Sequence, residues 1–253
     1  MSIIHSYHKY SKPKISVEDV YEKSDVTFDS VIITFSHRII TALKEDDLIE
    51  LIDEDRIKSI SCPYPVYRFK GTKIGLFKTT IGAPVASVLM EEVCYVYSCS
   101  KVVLFGSCGA LDKSLAAKSL VIPTAAYRDE GVSYHYLEPN DYIDIANHQK
   151  VREIFQELNV NYVVGKTWTT DAFFRETEEE IALRKKEGCI VLEMEIAACQ
   201  AVALTAGIEF FAFLYTADNL DASSWDKGLR DHMLSKDARL QILSIAFEVA
   251  KRI

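Results

Sequence analysis

The sequence lacks the cysteine patterns that mark zinc sites and redox-active pairs. None of its six cysteines belongs to a Cys-x-x-Cys pair, and no cysteine and histidine residues have the spacing of a zinc site. Cys94, Cys189 and Cys199 lie in apolar, periodic segments, as small core residues do. We therefore predict free thiols, a reducing compartment and no metal site.

Long hydrophobic runs and clusters of basic residues are absent as well. No apolar stretch is long enough for a membrane helix, and the N-terminal MSIIHSYHKYSKPK lacks the apolar core of a secretory signal. The formal net charge is −8, without the basic face typical of proteins that bind polyanions. These absences predict a cytoplasmic protein that binds neither membranes nor nucleic acids.

What the sequence does contain is an alternation of apolar β-type runs and helical patterns. Several apolar runs are continuous, which is typical of strands covered by helices on both faces. The predicted strands are 30–35, 73–79, 101–105, 120–124, 162–168, 189–192 and 209–215. The predicted helices are 39–51, 85–98, 148–158, 177–187, 195–206 and 237–252.

This order predicts an α/β fold in one domain of 253 residues, with residues 1–28 as an N-terminal extension. We expect a three-layer α/β/α architecture around a central mixed, mainly parallel sheet. Pro84 suits the first turn of a helix, and Gly188 and Gly207 suit left-handed positions after helices. The polar stretch 218–231 is expected to form a long loop before the last helix.

Two glycine-containing segments follow predicted strands and could bind an anion. GSCG at 106–109 combines backbone N–H groups with the Ser107 hydroxyl, and TTIGAP at 79–84 places Gly82 just before a helix. An ordinary strand-to-helix turn explains the first segment equally well. In the second segment, Gly and Pro could simply end the strand and begin the helix.

The segment VLEMEIAA at 191–198 carries two glutamates in an apolar passage from strand to helix. Glutamate is rarely buried without a partner, and a ribose diol could be that partner, with Met194 as an apolar floor. Electrostatic stabilisation of the helix N-terminus by Glu193 or Glu195 is the simpler alternative.

Two further segments could contact a nucleobase. Asp218, in TADN at 216–219, could protonate a leaving base, although Asp-Asn after a strand also forms turns. Phe173, in WTTDAFF at 168–174, could stack on the base, although most aromatic residues pack in cores. The five segments all lie at strand ends, where open α/β sheets bind ligands, and this shared placement favours one common site.

These residues resemble the superfamily of purine nucleoside phosphorylase, uridine phosphorylase and methylthioadenosine/S-adenosylhomocysteine nucleosidase. GSCGAL at 106–111 is similar to its phosphate loop, TTIGAP at 79–84 to its G-x-G-x-P segment, and EMEIAA at 193–198 to its ribose-binding Met-Glu motif. TADN at 216–219 resembles the general-acid segment of the purine enzymes. YRDEGVSYHYLEP at 127–139 resembles a uridine phosphorylase stretch.

The resemblance implies a role for each matching position and a homo-oligomer, with phosphate as co-substrate and no cofactor. The catalytic acid would be Asp218, which would also contact the base together with Phe173. The ribose would contact Glu195 and Met194, and the phosphate would contact Ser107, Gly106, Gly82 and Arg38.

The sequence departs from this family at positions that bind phosphate. The first-strand loop G-D-P-x-R is TFSHR here, so that only Arg38 matches, and Leu104 stands where the family has an arginine. Arg128 is a candidate for substitute positive charge because of its position. The glutamate-rich turn with which hydrolytic members activate water is absent too.

Three functions therefore remain open. The leading hypothesis is phosphorolysis of a purine or pyrimidine nucleoside, which gives the free base and a (deoxy)ribose 1-phosphate. A nucleosidase that uses water is the first alternative, and a catalytically silent nucleoside-binding protein is the second.

Overall fold

The structure, a computed structural model, describes residue 3 and residues 7–8, 11–59, 62–222, 225–228 and 234–253. Its helices are α1 (Val17–Val20), α2 (His37–Glu45), α3 (Ala83–Val96), α4 (Ser133–Tyr136), α5 (His148–Glu157), α6 (Glu178–Lys186), α7 (Ile196–Ala206) and α8 (Lys236–Arg252). Its strands are β1 (Ser30–Thr34), β2 (Ile49–Asp53), β3 (Val66–Phe69), β4 (Ile74–Lys78), β5 (Lys101–Ala110), β6 (Leu120–Asp129), β7 (Tyr142–Asp144), β8 (Val163–Thr170), β9 (Cys189–Glu193) and β10 (Glu209–Asn219).

All ten strands belong to one mixed sheet, with the order β10-β6-β8-β9-β5-β1-β4-β3-β2 and β7 beside β6. Its two longest pairings, β10 with β5 and β6 with β8, are parallel, whereas β2, β3 and β4 pair antiparallel. The predicted α/β class with a central mixed sheet is therefore confirmed.

Half of this sheet closes into a ring, which the sequence did not predict. Besides its antiparallel pairing with β6, β10 pairs with β5, so that β5, β10, β6, β8 and β9 each have a neighbour on both sides. The closure brings the ends of β5, β8, β9 and β10 to one region of the molecule.

Alternate residues of the central strands enter two separate cores, because successive side chains in a strand point to opposite faces. Val31 and Ile33 of β1 pack in a core with residues of α3 and α7. Ile32, between them, packs in a second core with residues of α2, α5 and α8. Helices thus cover both faces of β1, as the continuous apolar runs predicted.

Local sequence signals explain several helix ends. Pro84 occupies the first turn of α3, and Gly82 precedes that helix with φ +116°. Gly207 ends α7 in the left-handed conformation, and Gly188, two residues beyond α6, has φ +93°. These roles of Pro84, Gly188 and Gly207 agree with the predictions.

The predicted helix 39–51 is wrong at its end. The helix α2 stops at Glu45, Asp47 has φ +54°, and β2 begins at Ile49. Three consecutive acidic residues at the negative end of the helix dipole disfavour further turns. The predicted loop 218–231 is also partly wrong, since Asp218 and Asn219 belong to β10, and parts of it lie outside the described residues.

Over the part of the chain that the structure describes, no helix is both long and apolar enough to span a membrane.

Candidate active site

The buried Glu193 carboxylate anchors the junction between β9 and α7. It accepts hydrogen bonds from the hydroxyls of Thr167 (3.1 Å) and Thr169 (2.5 Å). It also accepts from the backbone N–H groups of Glu195 (2.6 Å) and Ile196 (2.7 Å) at the start of α7. Four donors thus satisfy Glu193, which stabilises the helix N-terminus and holds its neighbour Glu195 in place.

Glu195 is 7% exposed and connects the starts of two helices. Its carboxylate accepts hydrogen bonds from the N–H groups of Gly82 (2.7 Å), just before α3, and of Met194 (3.3 Å). Burial, followed by the nearby Glu193 charge, raises the pKa of Glu195 to about 8. This arrangement brings together three predicted site residues: Glu195, Met194 and Gly82.

A first cavity of about 330 Å³, the aromatic cavity, lies between a one-turn 3₁₀ helix (Phe173–Arg175) and the end of β10. The rings of Phe173, Phe174 and Trp225 line it together with the Asp218 carboxylate. Asp218 Oδ2 accepts a hydrogen bond from the Trp225 indole N–H at 2.8 Å. Phe173 and Asp218, which the sequence predicted to share a base site, therefore line the same cavity.

Glu176 is a second acid in the aromatic cavity, and it was not among the predicted site residues. Its Oε1 is buried and has no hydrogen-bond partner among the described residues. Burial, followed by the proximity of Asp218, raises the pKa of Glu176 to about 7. Because it lies in the acidic stretch RETEEE, nothing in the sequence distinguishes Glu176 from solvated acids at a helix start.

A second cavity of about 130 Å³, the serine cavity, lies beside Ser107. Its lining has no charged side chain among the described residues and comprises Thr34, Phe35, Ser36, Ile39, Ile81, Phe105, Gly106, Ser107 and Tyr215. A side chain at Gly106 would crowd this cavity, because a Cβ atom there would lie 3.1 Å from the Phe35 ring. Ser107 is exposed in a strand whose following residues are buried.

The predicted turn at residues 106–109 is wrong. These residues continue β5 to Ala110, and they pair with β10 and β9. The long pairing with β10 keeps this stretch extended despite its glycines. Phosphate binding at Ser107 therefore depends on the hydroxyl and on neighbouring loops, and it stays a prediction.

The two cavities lie along one face of the same pair of strands. Ser107 and Gly109 are two residues apart on β5, so their side-chain directions share a face. A Cβ atom on Gly109 would lie 3.4 Å from Asp218 Oδ1. The Asp218 carboxylate thus lies over the face of β5 toward which Ser107 points.

The two predicted phosphate arginines do not line the serine cavity. Arg38 is exposed in the first turn of α2, between Ser36 and Ile39, which do line it. Arg128 is 3% exposed, and its guanidinium donates to the Ser133 hydroxyl (2.8 Å) and to the Glu138 carbonyl (2.7 Å). Arg128 lines a different cavity, beside β7, so the interpretation that it supplies charge near Ser107 is wrong.

Comparisons with known proteins agree with this fold. The purine nucleoside phosphorylase DeoD-type of Aliivibrio fischeri is 26% identical over 191 residues, which cover 73% of this chain and 77% of the relative. A DeoD-type relative from Caldanaerobacter subterraneus is 24% identical, with 72% and 78% coverage.

Two solved structures share the fold at lower identity. The purine nucleoside phosphorylase from Toxoplasma gondii in complex with immucillin-H has a TM-score of 0.72 at 18% identity, covering 89% of this chain and 91% of that one. The AMP nucleosidase from Bacteroides thetaiotaomicron has a TM-score of 0.65 at 17% identity, with 89% and 88% coverage.

A family model described as Phosphorylase superfamily matches residues 31–253. This match confirms the resemblance seen in the motifs, and the chain belongs to the phosphorylase superfamily.

Proposed function

We propose that this chain is a nucleoside phosphorylase, which cleaves the N-glycosidic bond with phosphate and releases a free base and a pentose 1-phosphate. The observation that carries the proposal is the shared face of β5, where the Asp218 carboxylate and the Ser107 side chain lie along one strand. A nucleoside bound across this face would have its base in the aromatic cavity and its anomeric carbon near Ser107.

Each end of the substrate would contact groups suited to it. Phe173 and Phe174 offer rings for stacking on the base, and each such stack is worth about 1–3 kcal/mol. Glu195, with Met194 beside it, would accept hydrogen bonds from the ribose hydroxyls. Phosphate would be held by the Ser107 hydroxyl and by backbone N–H groups near Gly106 and Gly82.

The reaction needs one proton and one new bond. As the C–N bond breaks, the electron pair leaves with the base, and a phosphate oxygen bonds to the anomeric carbon. Asp218 would deliver the proton to the base, as a general acid. Glu176, which keeps a proton close to neutral pH, would supply Asp218 from within the same cavity.

Hydrolysis is the second candidate function, and the uncharged lining of the serine cavity favours it. Arginines are the strongest phosphate ligands in proteins, and neither Arg38 nor Arg128 lines this cavity. Water needs no such charge. A nucleosidase would use the same base and ribose contacts but release free pentose.

Base release from the purified full chain, with and without phosphate, tests both candidates. We would assay adenosine, inosine and uridine, starting with the purines because the relatives above are named purine nucleoside phosphorylases. Strict phosphate dependence with pentose 1-phosphate as product is expected. Equal rates without phosphate, with free pentose, would establish the nucleosidase instead.

A matched pair of variants shows whether any activity belongs to this site. Asp218→Asn should lower kcat by about 10²–10⁴-fold, the usual contribution of a general acid. Glu153→Gln, at an exposed position on α5, should leave kcat unchanged. Nucleoside binding without turnover in the parent protein would reject both enzymatic functions.

A further inference from the structure

The C-terminal end of α3 forms a turn that brings two cysteines together. Ser98 adopts the left-handed conformation with φ +49°, and its N–H donates to the Tyr95 carbonyl at 3.3 Å. The Cys99 N–H donates to the Cys94 carbonyl at 2.9 Å. This pair of hydrogen bonds is the Schellman motif. In this motif, the side chains of the two residues that share the second hydrogen bond, here Cys94 and Cys99, usually form an apolar contact.

In this chain, the meeting side chains are both thiols. Cys94 and Cys99 are free, and they are 4% and 6% exposed. The Cys99 thiol donates a hydrogen bond to the Lys101 carbonyl at 3.3 Å. Disulfides bridge Cα atoms that are ~4.4–6.8 Å apart, and the turn already holds these two backbones against each other through the Cys99 N–H.

The two thiols differ in acidity. The neighbouring Cys94 thiol lowers the pKa of Cys99 below its ordinary value, although burial of Cys99 acts in the opposite direction. The Cys99 thiol, together with burial, raises the pKa of Cys94. The direction of these shifts favours Cys99 as the attacking thiol, since the thiolate is the reactive form, and Cys94 as the second thiol.

A cavity of about 370 Å³ gives access to the pair. Both cysteines line it, together with Lys23 of the N-terminal region and Glu91 of α3. It lies at the opposite end of α3 from Gly82, and 14 residues at ~1.5 Å each separate the two ends by roughly 20 Å. The thiol pair is therefore distinct from the candidate active site.

We propose that Cys94 and Cys99 form a reversible dithiol–disulfide site that takes peroxides as oxidants. The Cys99 thiolate attacks a peroxide oxygen, so that an S–O bond forms, the O–O bond breaks and the leaving alkoxide or hydroxide takes up a proton. The Cys94 sulfur then attacks the sulfenic acid, the S–S bond forms, and the S–O oxygen leaves as water with the thiol proton. A thiol reductant restores both thiols.

The chain offers a direct readout, because trypsin releases residues 79–101 as one peptide that contains Cys94, Cys99 and no other cysteine. The native full chain is treated with hydrogen peroxide, and the remaining thiols are blocked with N-ethylmaleimide before digestion and mass spectrometry. The expected result is the loss of two hydrogen atoms from this peptide, without any N-ethylmaleimide adduct. Dithiothreitol before blocking should restore two adducts.

Single substitutions test the order of the steps. In Cys94→Ser, the Cys99 sulfenic acid has no partner and should be trapped by dimedone, whereas Cys99→Ser should give much less trapped product. The exposed Cys62, alone in its own tryptic peptide, reports whether peroxide reached the protein. Oxidised Cys62 beside two intact thiols in peptide 79–101, or a disulfide that joins peptide 79–101 to another peptide, would overturn the proposal.

Discussion

At the scale of single residues, Glu195 is the group on which ribose recognition depends. Above pH 8, where Glu195 is ionised, Glu195→Gln should reduce kcat/KM for a ribonucleoside by roughly 100-fold or more, because hydrogen bonds to a charged group contribute about 1.5–3 kcal/mol each. The Gly82 N–H can still donate to the amide oxygen, so the fold should survive. Steady-state kinetics of the two proteins measure the change.

A 2′-deoxynucleoside separates this role from a general loss of structure. It offers one hydroxyl fewer, so Glu195→Gln should affect it less than it affects the ribonucleoside. An equal loss for both substrates, or no loss for either, would contradict diol recognition by Glu195.

Glu176 should give the reaction a pH dependence. Its pKa of about 7 means that the proton beside Asp218 is lost as the pH rises through neutrality. We therefore expect kcat to fall between pH 6 and pH 8, roughly one unit on either side of that pKa, and Glu176→Gln to remove this fall. An unchanged pH profile in the variant would show that Glu176 stores no proton for catalysis.

At the scale of secondary-structure elements, the junction of β9 and α7 depends on Thr169. Its hydroxyl donates to Glu193 and accepts from the Ala197 N–H at 3.1 Å. Thr169→Val keeps the shape but leaves the buried N–H and carboxylate each short of a partner, which should cost about 2–4 kcal/mol of unfolding free energy. Urea denaturation measures this cost.

Thr205→Val is the matched control, because Thr205 is exposed on α7 and bonds only carbonyl groups of that helix. It should change the unfolding free energy by less than about 0.5 kcal/mol. Equal effects of the two substitutions would contradict the special role of Thr169 at the junction.

The presence of a helix or strand could be predicted wherever the apolar pattern extended over many residues, as for α3, α8 and the buried strand β1. The predicted ends of elements were wrong where the local sequence is compatible with more than one structure. The apolar residues that follow Asp47 continue the helical pattern of α2, but pairing with β3 makes them a strand. GSCG has the composition of a turn, yet its pairing with β10 keeps it extended.

Among the predicted site residues, the structure brings Gly82 into contact with Glu195 and places Phe173 and Asp218 in one cavity. Their roles in binding and catalysis stay predictions. The position of the Arg128 guanidinium could not be predicted. The carbonyl groups that accept its hydrogen bonds come from the loop before β7, and backbone carbonyls have no signature in the sequence.

At the scale of the whole molecule, the ring of five strands was beyond sequence reasoning. Its closure depends on β10 pairing with both β5 and β6, which are distant in sequence. The pattern of each strand specifies burial but not its neighbours. This closure nevertheless positions the candidate site, because it sets Asp218 against β5.

The raised pKa values of Glu195 and Glu176 predict how stability depends on pH. Each folded pKa, about 8 and about 7, lies above the ordinary 4.5, so the folded state binds more protons between these values. Stability from these groups should therefore be fully present below pH 4.5 and fall as the pH rises toward 8. Urea titrations across this range should show a shallower fall for Glu195→Gln than for the parent chain; an identical fall would contradict the pKa of Glu195.

Apolar side chains at the rims of both cavities predict a homo-oligomer. Phe174 is 93% exposed beside the aromatic cavity, and Ile81 is 68% exposed beside the serine cavity. Large apolar side chains in such places are typical of interfaces. Light scattering after size exclusion should give a mass of at least two chains, and a monomer at micromolar concentration would contradict this expectation.

A crystal structure with phosphate and a C-nucleoside, whose carbon–carbon bond resists cleavage, is the most direct test that one site binds both substrates. We expect the base between Phe173 and Asp218, the sugar hydroxyls on Glu195, and phosphate beside Ser107. A nucleoside bound elsewhere, or a pentose out of reach of Glu195, would contradict it.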